Sequence, residues 1–413
     1  MADADPGIAV AVTVEPHVAR HYLFLQGLPG PFFQRLGKAL ATGGARVSRV
    51  NFSAGDWLDW RGEGAIAFRD PPANWPNWLA VHVAATDVTD IVVFGDWRDY
   101  HRPARDIADR MGLRFWAFEE GYLRPDHVTL ERGGVNGNSS FPRSLHAIRL
   151  LAERLPCPGE PEGMTHRFRA RAGEAARHHA ATIFGRPFFP RYRTHRHNPP
   201  AREAVAWVTR RMRRTAERRD SRAALDALGD RPFFLHPLQL EGDSQLRMHS
   251  SYGSMGEAME QVVASFAQAP EDRHLLVKMH PLDPCMIPWR QRVADAAAAA
   301  GIADRVHFIE RGDLDPLLDR TLGVVTVNST VGPLALARNV PVLALGDAIY
   351  RVPGITAETS LEEFWRRPPP VDPDNVLLLT RALRAKCLIN GGFHSAEGLD
   401  RLVRHSAERM LRP

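Results

Sequence analysis

Short apolar segments alternate twice with amphipathic segments of helical length, and this alternation constrains the fold of the 413-residue chain more than any other feature. HYLFLQG (21–27), ARVSRVNF (45–52), TDIVVFGD (89–96) and LRFWAFEEG (113–121) read as strands. FFQRLGKALATGG and RPARDIADRMG lie between them as helices, with Phe33, Leu36 and Leu40 at helical spacing. A second series begins near residue 231: RPFFLHPLQ, a helix over about 254–268, HLLVKMHP, a helix through VADAAAAAG, RVHFIE, the short helix DPLLDRT, LGVVTVN, a helix from STVGPLALARN, and VPVLALG. Strand, helix, strand at this spacing asks for right-handed crossovers and parallel sheets. The second-series strands are apolar on both faces, as a sheet covered by helices on both sides requires. No repeat of solenoid length interrupts the pattern. The expectation is an α/β chain of two Rossmann-type halves.

The boundaries expected from this pattern are 1–144 for the first half, 145–230 for a helical basic segment and linker, 231–390 for the second half, and 391–413 for a terminal helix. The hydrophobic share of 44% and the charged share of 24% are those of a globular protein. Cys157, Cys285 and Cys387 are far apart and lack metal-ligand spacing, so neither a disulfide framework nor a zinc site is indicated, which suits a reducing cytoplasm. MADADPGIAVAVTVEP is acidic and lacks the basic and long apolar regions of a signal peptide. No stretch approaches the roughly 18 apolar residues that span a bilayer. The expected location is therefore cytoplasmic, soluble or peripheral, and the net charge of +5 favours anionic partners.

Four polar clusters fall where predicted strands end, and in open α/β sheets ligands gather at the carboxyl ends of strands. WAFEEGYLRPDHVTLE (116–131) carries the paired acids Glu119 and Glu120 before a glycine. HPLQLEGDSQLRMHS (236–250) carries Gln239, Glu241, Asp243 and Gln245 directly after the run FFL. LLVKMHPLD (275–283) places Lys278 and His280 two apart, so that both are expected on one side to meet a phosphate. VVTVNSTVGPLALA (324–337) ends a strand in Asn328, Ser329 and Thr330 at a helix start, where free N–H groups favour an anion. Taken singly, these also fit a solvated loop, a surface acid pair, a structural histidine and ordinary N-capping.

Several familiar sites are missing. There is no GxxxxGK[ST] loop, no GxGxxG after the first strand and no GxSxG elbow. Asp313 and Asp315 form a D-x-D, for which capping of the following helix is a simpler account than a metal. VTRRMRRTAERRDSR carries Arg210, Arg211, Arg213, Arg214, Arg218, Arg219 and Arg222. It reads either as a solvated charged face or as a surface for an anionic acceptor or membrane. No aromatic-rich nucleic-acid motif accompanies it, so nucleic acid is not the expected partner.

LQG, FEEGYLRPDHVTLE, PLQLEGDSQLRMHS, VKMHPLD and VNSTVGPLALARNVPVLALG, in this order and spacing, resemble the capsule polysaccharide β-Kdo transferases, in their single-module form. The resemblance covers about residues 20–390. It implies a GT-B-like arrangement of two Rossmann-type domains facing a cleft, with the acceptor on the N-terminal side and the nucleotide sugar on the C-terminal side. It also implies a CMP-β-Kdo donor, a phosphatidylglycerol-type lipid or Kdo-lipid acceptor, and retention of configuration. Carried onto this chain, Asp243 matches the nucleophile, with Glu119 and Glu120 as further catalytic candidates. Lys278, His280, Asn328, Ser329 and Thr330 match donor contacts, supported by Gln239 and Gln245. Arg210, Arg211, Arg213 and Arg214 are the candidate acceptor or membrane surface, at the cytoplasmic face of the inner membrane. No metal and no cofactor are expected, and other capsule synthesis and export proteins are partners the resemblance allows. Two alternatives stand beside it: a non-catalytic basic protein binding a nucleotide sugar or RNA, and a CMP-sialic acid transferase on the same fold.

Overall fold

The computed structural model describes residues 19–157, 159–163, 168–194 and 200–412, so the acidic N-terminal stretch lies outside the described residues. In chain order the strands are β1 (His21–Phe24), β2 (Arg46–Asn51), β3 (Ala65–Ala67), β4 (Asp90–Phe94), β5 (Arg114–Glu120), β6 (His127–Arg132), β7 (Phe233–Pro237), β8 (His274–Lys278), β9 (Val306–Ile309), β10 (Gly323–Thr326), β11 (Val342–Ala344) and β12 (Leu388–Asn390). They form a seven-stranded sheet, β12-β6-β5-β4-β1-β2-β3, and a five-stranded sheet, β11-β10-β7-β8-β9. Counted from its own first strand, each sheet contains the doubly wound order 3-2-1-4-5. The winding therefore reverses at β1/β4 in the first sheet and at β7/β10 in the second.

The second sheet is parallel throughout, as are the pairs joining β1 to β5 in the first. The expectation of purely parallel sheets is corrected at one edge, where β6 runs antiparallel to β5 and β12 antiparallel to β6. The connection from Glu120 to His127 is too short for the crossover that a parallel neighbour needs, so the chain turns back on itself.

Alternate residues of the central strands feed cores on opposite faces. Tyr22 and Phe24 pack on one side of the first sheet, Leu23 and Leu25 on the other. In the second sheet Phe233 and Leu235 oppose Phe234. Each fully buried large apolar side chain contributes about 1.5–3 kcal/mol, so these four layers dominate the stability of the scaffold.

The chain returns to the first unit at its end. Helix Pro373–Lys386 packs Leu379 and Leu383 with Ile148 and Ala152 of helix Leu145–Arg154. β12 then joins the first sheet, and helix Ala396–Leu411 lays Leu402 and Met410 against Leu36 and Leu40. The Tyr22 hydroxyl donates to Met410 O at 2.8 Å. The boundary expected at 390 is thus corrected: sheet membership changes before β12.

The basic segment 145–230 is helical as expected, with helices Phe168–Phe184, Pro200–Met212 and Arg214–Leu228 beyond Arg154. It is not a separate body. Helix Phe168–Phe184 packs on helix Ala54–Asp59 of the first unit, and helix Arg214–Leu228 lies on β9 of the second. The two units touch at Gly137, where a Cβ would come within 2.1 Å of His249 Nδ1. Arg143 also links them, donating to Asn136 O at 2.9 Å and to Ala348 O, with Asp347 at 3.6 Å.

Candidate active site between the two sheets

At the β7/β10 switch point the two strands run on into Gln239 and Asn328, and these side chains clamp the crevice. Gln239 Nε2 donates to Asn328 Oδ1 at 2.8 Å, while Gln239 Oε1 accepts from the Asn328 N–H at 3.0 Å. Asn328 Nδ2 donates to Gln245 O at 2.8 Å, which ties the loop after β7 to the end of β10. Both amides therefore hold the loop that presents Asp243.

Asp243 is the N-cap residue of the short helix Ser244–Met248. Its Oδ1 accepts from the Gln245 N–H at 2.9 Å and its Oδ2 from Gln239 Nε2 at 3.3 Å. Burial pushes its carboxyl above the usual carboxylate range, and the two hydrogen bonds, Arg124 and His249 act against that rise.

The facing wall is the end of β5. Glu119 Oε1 accepts from the Glu120 backbone N–H at 3.0 Å, and burial pushes its carboxyl up to about 7. The adjacent Glu120 charge adds to the rise, while that N–H bond, Arg98 and Arg124 oppose it. Glu120, the next residue, pairs with Arg171 at 3.2 Å. The two acids that sequence could not separate thus differ: one lacks an ion pair among the described residues and titrates near neutrality, the other is held by an arginine.

A pocket of about 140 Å³ brings together Glu119, Glu120, Gln239, Asp243, Gln245, His280, Asn328, Ser329 and Thr330. His280 Nδ1 accepts from the Leu282 N–H at 3.1 Å, which leaves the neutral ring's proton on Nε2. Burial, helped by Arg124, Lys278 and Arg210, lowers its pKa to about 4, so the ring is a neutral donor at pH 7. Ser329 Oγ accepts from the Val331 N–H at 3.2 Å, and the Tyr350 hydroxyl donates to Ser329 O at 2.7 Å. Tyr350 gets this close because position 332 is glycine; a Cβ there would lie 2.4 Å from the ring. Thr330 is the N-cap residue but makes no side-chain capping bond. The helix that follows, Val331–Leu336, has only 6 residues, so the expected helix-terminal seat reduces to local hydroxyl and N–H groups.

Two expected residues lie elsewhere. Lys278 does not line this pocket; its electrostatic neighbours are Asp313 and Arg210. The alternation rule that placed it beside His280 ends with the strand at Lys278, and His280 belongs to the turn into Pro281. Arg210 is corrected from a surface to a buried position, at 4% exposure. It donates to Pro281 O at 2.8 Å and to Asp283 O, which fastens the turn that carries His280. Arg211, Arg213 and Arg214 are exposed.

Sequence reasoning assigned no role to Tyr122, Arg124, Asn136 and Tyr350, which also line the pocket. Arg124 interacts electrostatically with Glu119, Asp243 and His280 together, which makes it the central cation of the site. It stands within the EEGYLRPD stretch, and a cation following an acid pair at a strand end was the available signal. Asp315 pairs with Arg338 at 2.6 Å, and the described residues contain no group of His, Cys, Asp and Glu able to hold a metal. No described helix is long and apolar enough to cross a membrane.

Two doubly wound α/β units with polar residues at facing carboxyl edges define a GT-B-like protein. The chain belongs to the capsule polysaccharide biosynthesis protein family, whose profile matches residues 89–394. It is 35% identical over 351 residues to the capsule polysaccharide export protein KpsS of Escherichia coli, covering 84% of this chain and 90% of that one. It is 34% identical over 393 residues to the capsule polysaccharide modification protein LipB of Neisseria meningitidis serogroup A, covering 91% and 92%. Among solved structures, the β-Kdo 2,7 transferase of KpsC from Thermosulfurimonas dismutans aligns over 94% of this chain and 99% of that one, with a TM-score of 0.43 and 12% identity.

Proposed function

We propose that this capsule polysaccharide biosynthesis protein is a retaining glycosyltransferase that moves β-Kdo from CMP-Kdo to a phosphatidylglycerol-type lipid or a Kdo-lipid acceptor. The observation that carries the reading is the meeting, in one pocket, of Asp243 from the second unit and Glu119 from the first, beside His280, Ser329 and Thr330. Retention needs two inversions. In the first, an Asp243 carboxylate oxygen attacks the anomeric carbon, the bond to the phosphate oxygen breaks, and CMP leaves with the electron pair. In the second, the acceptor hydroxyl attacks the same carbon, Asp243 departs as carboxylate, and the hydroxyl proton passes to Glu119. A carboxyl titrating at about 7 is suited to accept that proton at neutral pH.

His280 Nε2–H, the Thr330 hydroxyl and Arg124 supply donors for the departing phosphate. Monophosphate departure on such donors needs no metal. The exposed Arg211, Arg213 and Arg214 share helix and turn with the exposed Val208 and Met212, an arrangement suited to peripheral contact with anionic lipid at the inner membrane.

The test is CMP release from CMP-Kdo with and without a phosphatidylglycerol acceptor, run against competing CMP-sialic acid. Acceptor-dependent release that CMP-sialic acid fails to compete supports the proposal. Binding without acceptor-dependent release identifies a non-catalytic nucleotide-sugar protein, and preference for the competing donor identifies the sialic acid alternative.

A further inference from the structure

The first sheet has its own switch point, and a cavity of about 330 Å³ opens there. Arg98, just past β4, spans it by donating to Gly27 O at 3.0 Å and Gln26 Oε1 at 3.4 Å, just past β1, and is only 6% exposed. Arg171, Arg186, His178 and His394 face the same space from the segments that cover it, and no described lining residue is a carboxylate. The acids around it are paired, three of them with groups of the lining itself: Glu120 with Arg171 at 3.2 Å, Asp59 with His178 at 2.7 Å and Arg177 at 3.2 Å, and Glu174 with His394 at 3.4 Å, while the buried Asp56, which accepts from Gln26 Nε2 at 3.2 Å, pairs with Arg49 at 3.4 Å. Arg186 is exposed and makes no ion pair among the described residues.

The edge of this cavity is apolar. Ile183 lines it, and Phe184 and Phe188 project from the same two turns at 82% and 68% exposure. The turns are held by close packing, since a Cβ at Gly185 would lie 2.1 Å from Ala54 Cβ and one at Gly55 2.4 Å from Thr182 Oγ1. A fixed pair of exposed phenylalanines beside a cationic cavity is costly in water and fits the boundary between headgroups and acyl chains.

We propose that this cavity takes the anionic headgroup of a membrane lipid while Ile183, Phe184 and Phe188 enter the bilayer surface. The guanidinium groups match a phosphodiester, and the apolar edge matches the chains attached to it. Resting on the transferase reading, the headgroup's reacting hydroxyl then points toward the Asp243 pocket. The Arg171–Glu120 pair stands between the two spaces, with Arg171 lining one and Glu120 the other.

The experiment uses the full chain without donor. Sedimentation is measured with vesicles of phosphatidylglycerol in phosphatidylcholine and of phosphatidylcholine alone, and binding of soluble dihexanoyl phosphatidylglycerol and CMP by calorimetry. Phe184→Ser with Phe188→Ser is expected to weaken anionic-vesicle binding by about 10-fold or more, with short-chain headgroup binding nearly unchanged. Arg186→Glu is expected to weaken both by roughly 5-fold or more, with CMP affinity preserved in every variant. Equal sedimentation of the double variant and wild type overturns the proposal, as does binding of glycerol phosphate by a protein that ignores both vesicles. Wild-type protein that binds anionic vesicles in this pattern yet never turns over CMP-Kdo keeps the lipid site and removes only the transferase reading.

Discussion

The two switch points share one topology and opposite chemistry. At β7/β10 the polar groups bond to one another: Gln239 and Asn328 clamp the crevice, and Asp243 accepts from the Gln245 N–H and from Gln239 Nε2. At β1/β4 the crevice is lined by guanidinium and imidazole groups, and its edge by exposed aromatic carbon. A preorganised carboxylate suits covalent chemistry on a small sugar, because little reorganisation is left for the reacting state. An open cationic cavity with a greasy edge suits a large amphiphile. The same backbone order thus carries two different linings, and the side chains of the strand-end loops make the difference.

The contrast breaks most visibly at Asp243. Asp243→Asn preserves shape and removes the charge, so transfer from CMP-Kdo is expected to fall by roughly 10³-fold or more, with CMP affinity within about 2-fold. Intact mass of the wild type incubated with donor alone is expected to show an added Kdo that maps to Asp243. Normal turnover in the variant, or an adduct on Glu119, would move the nucleophile to the first unit.

Glu119 sharpens the comparison, because it reaches from the first unit into the pocket that holds Asp243 and is the base of the proposed mechanism. With its carboxyl at about 7, wild-type kcat/KM is expected to rise with pH through that value, since the base must be ionised. Glu119→Gln removes that limb and lowers transfer by about 10²–10⁴-fold. Stability changes in the opposite sense. A carboxyl whose folded value is raised from 4.5 to about 7 keeps its proton longer in the folded state, so wild-type stability falls as pH rises through that window. Glu119→Gln flattens that decline, and thermal melts at pH 5 and pH 8.5 measure it. A decline of equal slope in wild type and variant would assign the titration to another group.

The smallest effect is expected in the basic segment and separates its buried from its exposed arginines. Arg210→Ala strands two backbone carbonyls and is expected to destabilise the protein by about 1–3 kcal/mol in urea unfolding. Arg213→Ala, at an exposed site, should stay within about 0.5 kcal/mol. Equal losses would mean that the segment acts as one surface after all.

Particular residues show how far the sequence could be read. Glu119, Asp243, His280 and Thr330 were legible because each follows a short apolar run, and strand ends of a doubly wound sheet share one edge. Lys278 was misplaced because alternation holds only while the strand lasts. β6 and β12 went unread: one lies within a motif read only for its acid pair, and the other is three residues that become a strand only beside their partner. The β1/β4 cavity was beyond reach, since Gln26, Arg98 and Arg171 lie in three separated segments that only folding assembles.

Hydrophobic period and turn chemistry act over a few residues, so the sequence by itself determined that there would be two wound sheets and which strand ends would carry polar groups. Which of those groups share a pocket, that Glu119 titrates at about 7 while Glu120 is ion-paired, and that His280 stays neutral were decided by tertiary structure alone. Burial and charge are sums over neighbours far apart in the chain: Arg124 meets Asp243 and His280 only after the two units close on each other.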